Sequence, residues 1–95
     1  MLLVRENFTA KPGCAGKLAK LLKEVMEARG YYKTKIMTDL TGDFNQVVME
    51  TETESLADFE ARIKDHASNP AVREKMAEYT NLWLTGGRTI YRIVE

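Results

Sequence analysis

One cysteine, one histidine and two prolines among 95 residues leave several kinds of protein without material. Cys14 alone cannot close an intrachain disulfide, and with a single His66 beside it no clustered set of soft metal ligands is assembled. The charges cancel, with 14 Lys+Arg against 14 Asp+Glu, so no net field draws the chain to nucleic acid or to an anionic bilayer. No apolar run approaches the roughly 20 residues that span a membrane. The start, Met1 to Glu6, also lacks the basic region and apolar run of a secretory signal. The expectation is a reduced, cytoplasmic protein with no nucleic-acid or membrane partner. There is no phosphate-cradling glycine loop, nucleophile motif, repeat, linker or low-complexity segment.

What is present is ordinary globular composition, 44% hydrophobic and 29% charged, sufficient for one domain over residues 1–95. A chain this short buries only about 60% of its unfolded surface, so a partner subunit would add a large fraction of its stability.

The apolar periodicity reads as strand, helix, strand, strand, helix, strand. Leu2, Val4 and Phe8 alternate with Leu3, Arg5, Asn7 and Thr9 in a first strand that ends before Lys11-Pro12-Gly13. Between Cys14 and Arg29, Leu18, Leu21, Leu22, Val25 and Met26 form one helical stripe, and Gly30 supplies a left-handed stop. Lys17, Lys20, Lys23, Glu24 and Glu27 make the opposite, solvated face. Lys33 to Leu40 and Phe44 to Thr51 read as a hairpin joined by Thr41-Gly42-Asp43. Ser55-Leu56-Ala57-Asp58 resembles a capping box opening a second helix, with Leu56, Phe59, Ile63 and Ala67 on one stripe. Ser68-Asn69-Pro70 predicts a break, after which Val72, Met76, Tyr79 and Trp83 continue an apolar stripe to Gly86-Gly87. Arg88 to Val94 closes the chain as a strand.

This order predicts an α+β, ferredoxin-like βαββαβ fold with a four-stranded antiparallel sheet and two helices on one face. The other face should be polar in a monomer, yet both faces carry apolar side chains. Ile36 and Leu40 oppose Lys35 and Met37, Phe44 and Val48 oppose Val47 and Met49, and Ile90 and Val94 oppose Tyr91 and Ile93. At about 25 cal/mol per Å² of apolar area, covering that face is worth several kcal/mol. The expected cover is a second copy of the chain, packed sheet to sheet.

The element order resembles the dimeric α+β barrel superfamily of ferredoxin-like domains, which includes antibiotic-biosynthesis monooxygenase-like and NIPSNAP-like proteins. So do Leu40 to Glu50, Glu54-Ser55-Leu56-Ala57-Asp58-Phe59-Glu60 and His66-Ala67-Ser68-Asn69-Pro70, across nearly the whole chain. The resemblance implies a homodimeric barrel, with ligands in a cleft between each sheet and its helices. Its members range from cofactor-independent oxygenases to proteins of no known activity, so fold alone selects no function. Haem-degrading relatives use an Asn on the first strand with a Trp and a His on the second helix. Glu6-Asn7 resembles the strand motif, but Arg62 and Met76 stand where the Trp and His belong, so no haem or other cofactor is expected.

Four residues are candidate ligand contacts. His66 is the one imidazole able to move a proton near neutral pH, or it serves the end of its helix. Asn7 and Arg5 share a strand face and offer an amide and a cation to an anionic or carbonyl-containing ligand, or they border the sheet. Trp83, with Tyr79 and Met76, lines a pocket or belongs to the core. Tyr31-Tyr32 caps the barrel mouth or packs at the dimer contact, and Cys14 reads as a small packing residue. Two functions compete. One is a homodimer that binds a small, partly apolar organic molecule or acts as an accessory protein. The other is a cofactor-independent monooxygenase or isomerase of a phenolic or polyketide-like substrate, with Asn7 polarising and His66 deprotonating. The missing constellation of acid, base and orienting group favours the first.

Overall fold

In the computed structural model, which describes residues 1–31 and 33–95, the antiparallel sheet runs in the order β2-β3-β1-β4. The strands are β1 (Leu2–Ala10), β2 (Lys35–Thr38), β3 (Gln46–Thr53) and β4 (Trp83–Arg92). Helix α1 (Ala15–Ala28) follows β1, and α2 (Leu56–Ser68) and α3 (Pro70–Lys75) join β3 to β4 with a 3-10 turn over Met76–Asn81. This is the expected α+β, ferredoxin-like arrangement. Tyr32 lies outside the described residues.

Alternation along β1 sends Val4, Glu6, Phe8 and Ala10 toward the helices and Leu3, Arg5, Asn7 and Thr9 to the open face. Val47 and Met49 of β3 join the helix side, where Leu18, Leu22 and Met26 of α1 close over Phe8 as one core cluster. Helix α1 ends in a Schellman motif. Gly30 takes φ +84°, its N–H reaches the Glu27 carbonyl at 3.0 Å, and the Tyr31 N–H reaches Met26 at 2.8 Å.

The second helical region behaves differently from α1. Ser55 Oγ accepts from the Asp58 N–H at 3.1 Å, and Asn69 Oδ1 accepts from Ala71 and Val72 at 3.0 and 3.3 Å, so the expected break at Pro70 is a capped restart. Yet α2 has no fully buried residue, and Leu56 and Ile63 remain 58% and 41% exposed. The stripe read from its sequence stands off the sheet instead of closing on it.

Three boundaries differ from the sequence reading. The helical stripe does not extend to Trp83, which opens β4 and pairs with Ala10 after a register shift. Gly86 and Gly87 are strand residues, because an aromatic at strand start continues the same apolar spacing that a helix would show. The β2–β3 connection spans residues 39–45 rather than three, since Asp39 Oδ1 accepts from the Gln46 N–H at 2.8 Å and ends the ladder there. Leu40 and Phe44 therefore leave the sheet, 98% and 85% exposed, and Ile93 and Val94, both counted from the sequence on the sheet faces, lie beyond the last strand.

Candidate ligand-binding cleft

A cleft of about 260 Å³ opens where α2 fails to meet the sheet. Glu6, Met49, Thr51 and Arg88 form its floor, Leu22, Val25, Met26 and Arg29 one wall, and Phe59, Arg62, Ile63 and His66 the roof, with Met76 and Tyr79 at the end. Most of the lining surface is apolar, with titratable groups on the floor, one wall and the roof, a mixture that suits a partly apolar small molecule.

Glu6 interrupts the apolar row Val4, Phe8 and Ala10, leaving a carboxylate among covered side chains. Its cross-strand partner is Arg88, whose Nε donates to Glu6 Oε1 at 2.9 Å, with the Glu6 side chain 16% exposed. The Arg88 guanidinium also lies 5.0 Å from the centre of the Phe59 ring, so one cation joins the floor to the roof. A carboxylate held this way is engaged as a counter-ion and is poorly placed to act as a free base.

Beside it, burial pushes the Tyr79 phenol up to about 12, helped by the Glu6 charge and opposed by Arg88. It stays a hydrogen-bond donor at neutral pH. Burial and then Arg29 lower the His66 pKa from 6.5, against a smaller upward pull from Glu6, so the imidazole is neutral at pH 7. Arg29 and Arg62 lie 5.0 and 4.4 Å from the centre of the Tyr31 ring. The Schellman turn that positions Tyr31 thus brings both guanidiniums together where the cleft borders a neighbouring hollow lined by Tyr31 and Arg62.

The four sequence candidates do not share this space. His66 lines the cleft. Asn7 and Arg5 line a separate hollow of about 370 Å³ on the open face, with Met37, Val48 and Glu50. Arg5 is bound to Glu50 at 2.7 Å and lies 5.4 Å from the Tyr91 ring centre, so its charge is already answered. Trp83 packs 5.8 Å from Phe8 and 5.5 Å from Tyr79, partly buried against the core and outside the cleft lining. Within one subunit the pairing of Asn7 with His66 on one substrate is not built, because adjacent strand positions face opposite ways. Glu6, not Asn7, takes the cleft-facing place on the first strand.

Glu6, Arg88 and Arg29 were missed by sequence reasoning. A carboxylate between Val4 and Phe8 was the available signal for Glu6, while the Arg88 partnership spans 82 residues and leaves no local trace. Cys14 is a partly covered residue beside the core with no side-chain capping bond, in keeping with packing. Among the described residues no three His, Cys, Asp or Glu side chains gather as a metal site, and no helix is long and apolar enough to cross a membrane. A wider hollow of about 440 Å³ lies at the sheet edge over Leu3, Lys33, Lys35 and Glu52, and shares Thr51 and Arg62 with the cleft.

The class defined by this geometry is a ferredoxin-like α+β domain with a cleft under its second helix and one sheet face open. No protein-family model matches the chain, and no curated protein matches it in sequence. Solved structures do. An uncharacterized NIPSNAP domain protein from Burkholderia xenovorans superposes with a TM-score of 0.83 at 12% identity, covering 99% of this chain and 95% of that one. A NIPSNAP family protein from Agrobacterium tumefaciens gives 0.84 at 17% identity, covering 100% and 95%. An antibiotic biosynthesis monooxygenase gives 0.71 at 16% identity over 100% of both chains. At such identities the similarity is one of fold, and it matches the fold families that the sequence resembles.

Proposed function

We propose that the protein is a cytoplasmic homodimer that binds a small, partly apolar organic molecule in the cleft beneath α2, the two copies meeting through their open sheet faces. The observation that carries the binding reading is the Glu6–Arg88 pair, an ion pair on the helix side of the sheet lying under a helix that leaves room above it. Protein interiors close-pack, so a gap between a helix and its sheet with mostly apolar walls is room for a small molecule. The dimer is supported by the open face, where Leu3 and Val48 are partly covered and Met37 and Tyr91 remain 40% and 45% exposed beside the Arg5–Glu50 pair.

A thermal-shift screen against quinones, polyketide-like phenols and haem tests the cleft, since a ligand of the native state raises the melting temperature. The expected result is stabilisation by at least one aromatic compound that Met76→Trp, which fills the cleft, abolishes. Stabilisation that survives Met76→Trp places the ligand elsewhere and overturns the reading.

A second reading, cofactor-independent monooxygenase or isomerase, draws support from the neutral His66 imidazole in one cleft with the Tyr79 phenol, and from the fold shared with an antibiotic biosynthesis monooxygenase. His66 would take the proton from an activated carbon and Tyr79 would donate to the oxygen that gains charge. Turnover of a cleft ligand that His66→Gln leaves unchanged would exclude it.

A further inference from the structure

Resting on the cleft reading, we infer that the bound molecule is an organic carboxylate, and that Arg29 and Arg62 receive its anionic end. Three guanidiniums line the cleft, those of Arg29, Arg62 and Arg88, and its one carboxylate is Glu6. Glu6 is taken by Arg88. Among the described residues the other ion pair is Arg5–Glu50, on the opposite side of the sheet, so Arg29 and Arg62 face the cleft without a carboxylate in contact. Asp65 and Glu6 act on Arg29 only from a distance.

Both side chains are nevertheless held in place. Arg29 Nη2 donates to the Arg62 carbonyl at 2.7 Å, and Arg62 Nη2 donates to the Glu52 carbonyl at 2.9 Å. The two guanidiniums share the Tyr31 ring, which keeps two like charges close together. Arg29 Nε is buried with no partner, so this guanidinium is incompletely hydrogen-bonded. Burial, the largest influence on Arg29, opposes its charge, Tyr31 favours it, and the Arg62 charge opposes it again. Like charges held together lower their energy by taking up an anion, and a planar carboxylate matches the guanidinium fork. Beyond that end, Leu22, Val25, Met26 and Phe59 suit an apolar body, so the class is an aromatic or alkyl carboxylic acid.

The test measures binding of naphthoate, phenylpropanoate and octanoate by calorimetry, each against its neutral amide. The expected result is tighter binding of the acids by about tenfold or more, the scale of one charge-assisted contact. Arg62→Gln should erase that preference while amide binding persists, and Arg29→Lys, which keeps the charge but not the fork, should reduce it. Lys33→Gln and Lys35→Gln, in the neighbouring hollow, should leave it intact. Equal binding of acids and amides overturns the carboxylate inference and leaves the cleft reading standing. Loss of the preference in the lysine variants rather than in Arg62→Gln places the anion in the neighbouring hollow and overturns the inference too. Binding of no member of the panel overturns both.

Discussion

Glu6 and Arg88 stand opposite each other in the β1–β4 ladder, joined at 2.9 Å on the side of the sheet that faces the helices. Their charges act in opposite directions on Tyr79, whose phenol is pushed up to about 12 by burial first and then by Glu6, while Arg88 pulls it down. Glu6→Gln removes one upward influence and leaves burial. Spectrophotometric titration of tyrosinate should then show the Tyr79 midpoint falling, yet staying above the ordinary 10.0. A midpoint that does not move would mean the carboxylate is too far from the phenol to act on it.

His66 makes stability pH-dependent. The groups around it are Arg29 from α1, Arg62 on its own helix, and Glu6, Arg88 and Tyr79 from the floor and end of the cleft. Its folded pKa lies below 6.5, so the unfolded chain takes up the proton more readily than the folded one. The sign follows: the stability is present above pH 6.5 and is lost as pH falls through the folded value. Urea midpoints should therefore drop more steeply for the native chain than for His66→Gln below pH 6.5. Parallel curves would contradict the burial of the ring.

Gly86 leaves room for Phe8. A Cβ there would lie 3.0 Å from the Asn7 carbonyl oxygen and 3.1 Å from Phe8 Cδ1, one a backbone atom and the other part of a core ring. Gly86→Ala should cost about 1–3 kcal/mol by overpacking, read as a lower denaturation midpoint. Gly87→Ala meets nothing within 4 Å and should stay within about 0.5 kcal/mol of the native chain.

The proposed dimer is checked on the open face, where Val48 sits between Asn7 and Met37 and on the same strand face as Glu50. Val48→Glu places a second carboxylate in that apolar patch, and sedimentation should shift toward the 10.8 kDa of a single chain. A native chain that already sediments at that mass would remove the dimer, while the cleft in each subunit would remain to be tested by ligand.

Several elements were legible because their causes are local. The stripe Leu18, Leu22, Val25 and Met26 is buried as its spacing requires, Gly30 takes the left-handed stop, and Asn69-Pro70 restarts the helix by capping and a fixed φ. Trp83 misled because an aromatic four residues after Tyr79 satisfies helical spacing and strand propensity alike, and only pairing with Ala10 decides between them. The same ambiguity made Gly86 look like a stop when it is a space for a ring.

By itself, then, the chain's own order of residues determined the succession of strands and helices and the faces on which Asn7 and Glu6 lie, since periodicity and caps act over a few residues. Tertiary structure alone decided that α2 stands away from the sheet, that Arg88 answers Glu6, that Arg29 and Arg62 share Tyr31, and that His66 and Asn7 never meet. Those relationships join segments far apart in sequence, and their energies arise only when packing brings the segments together.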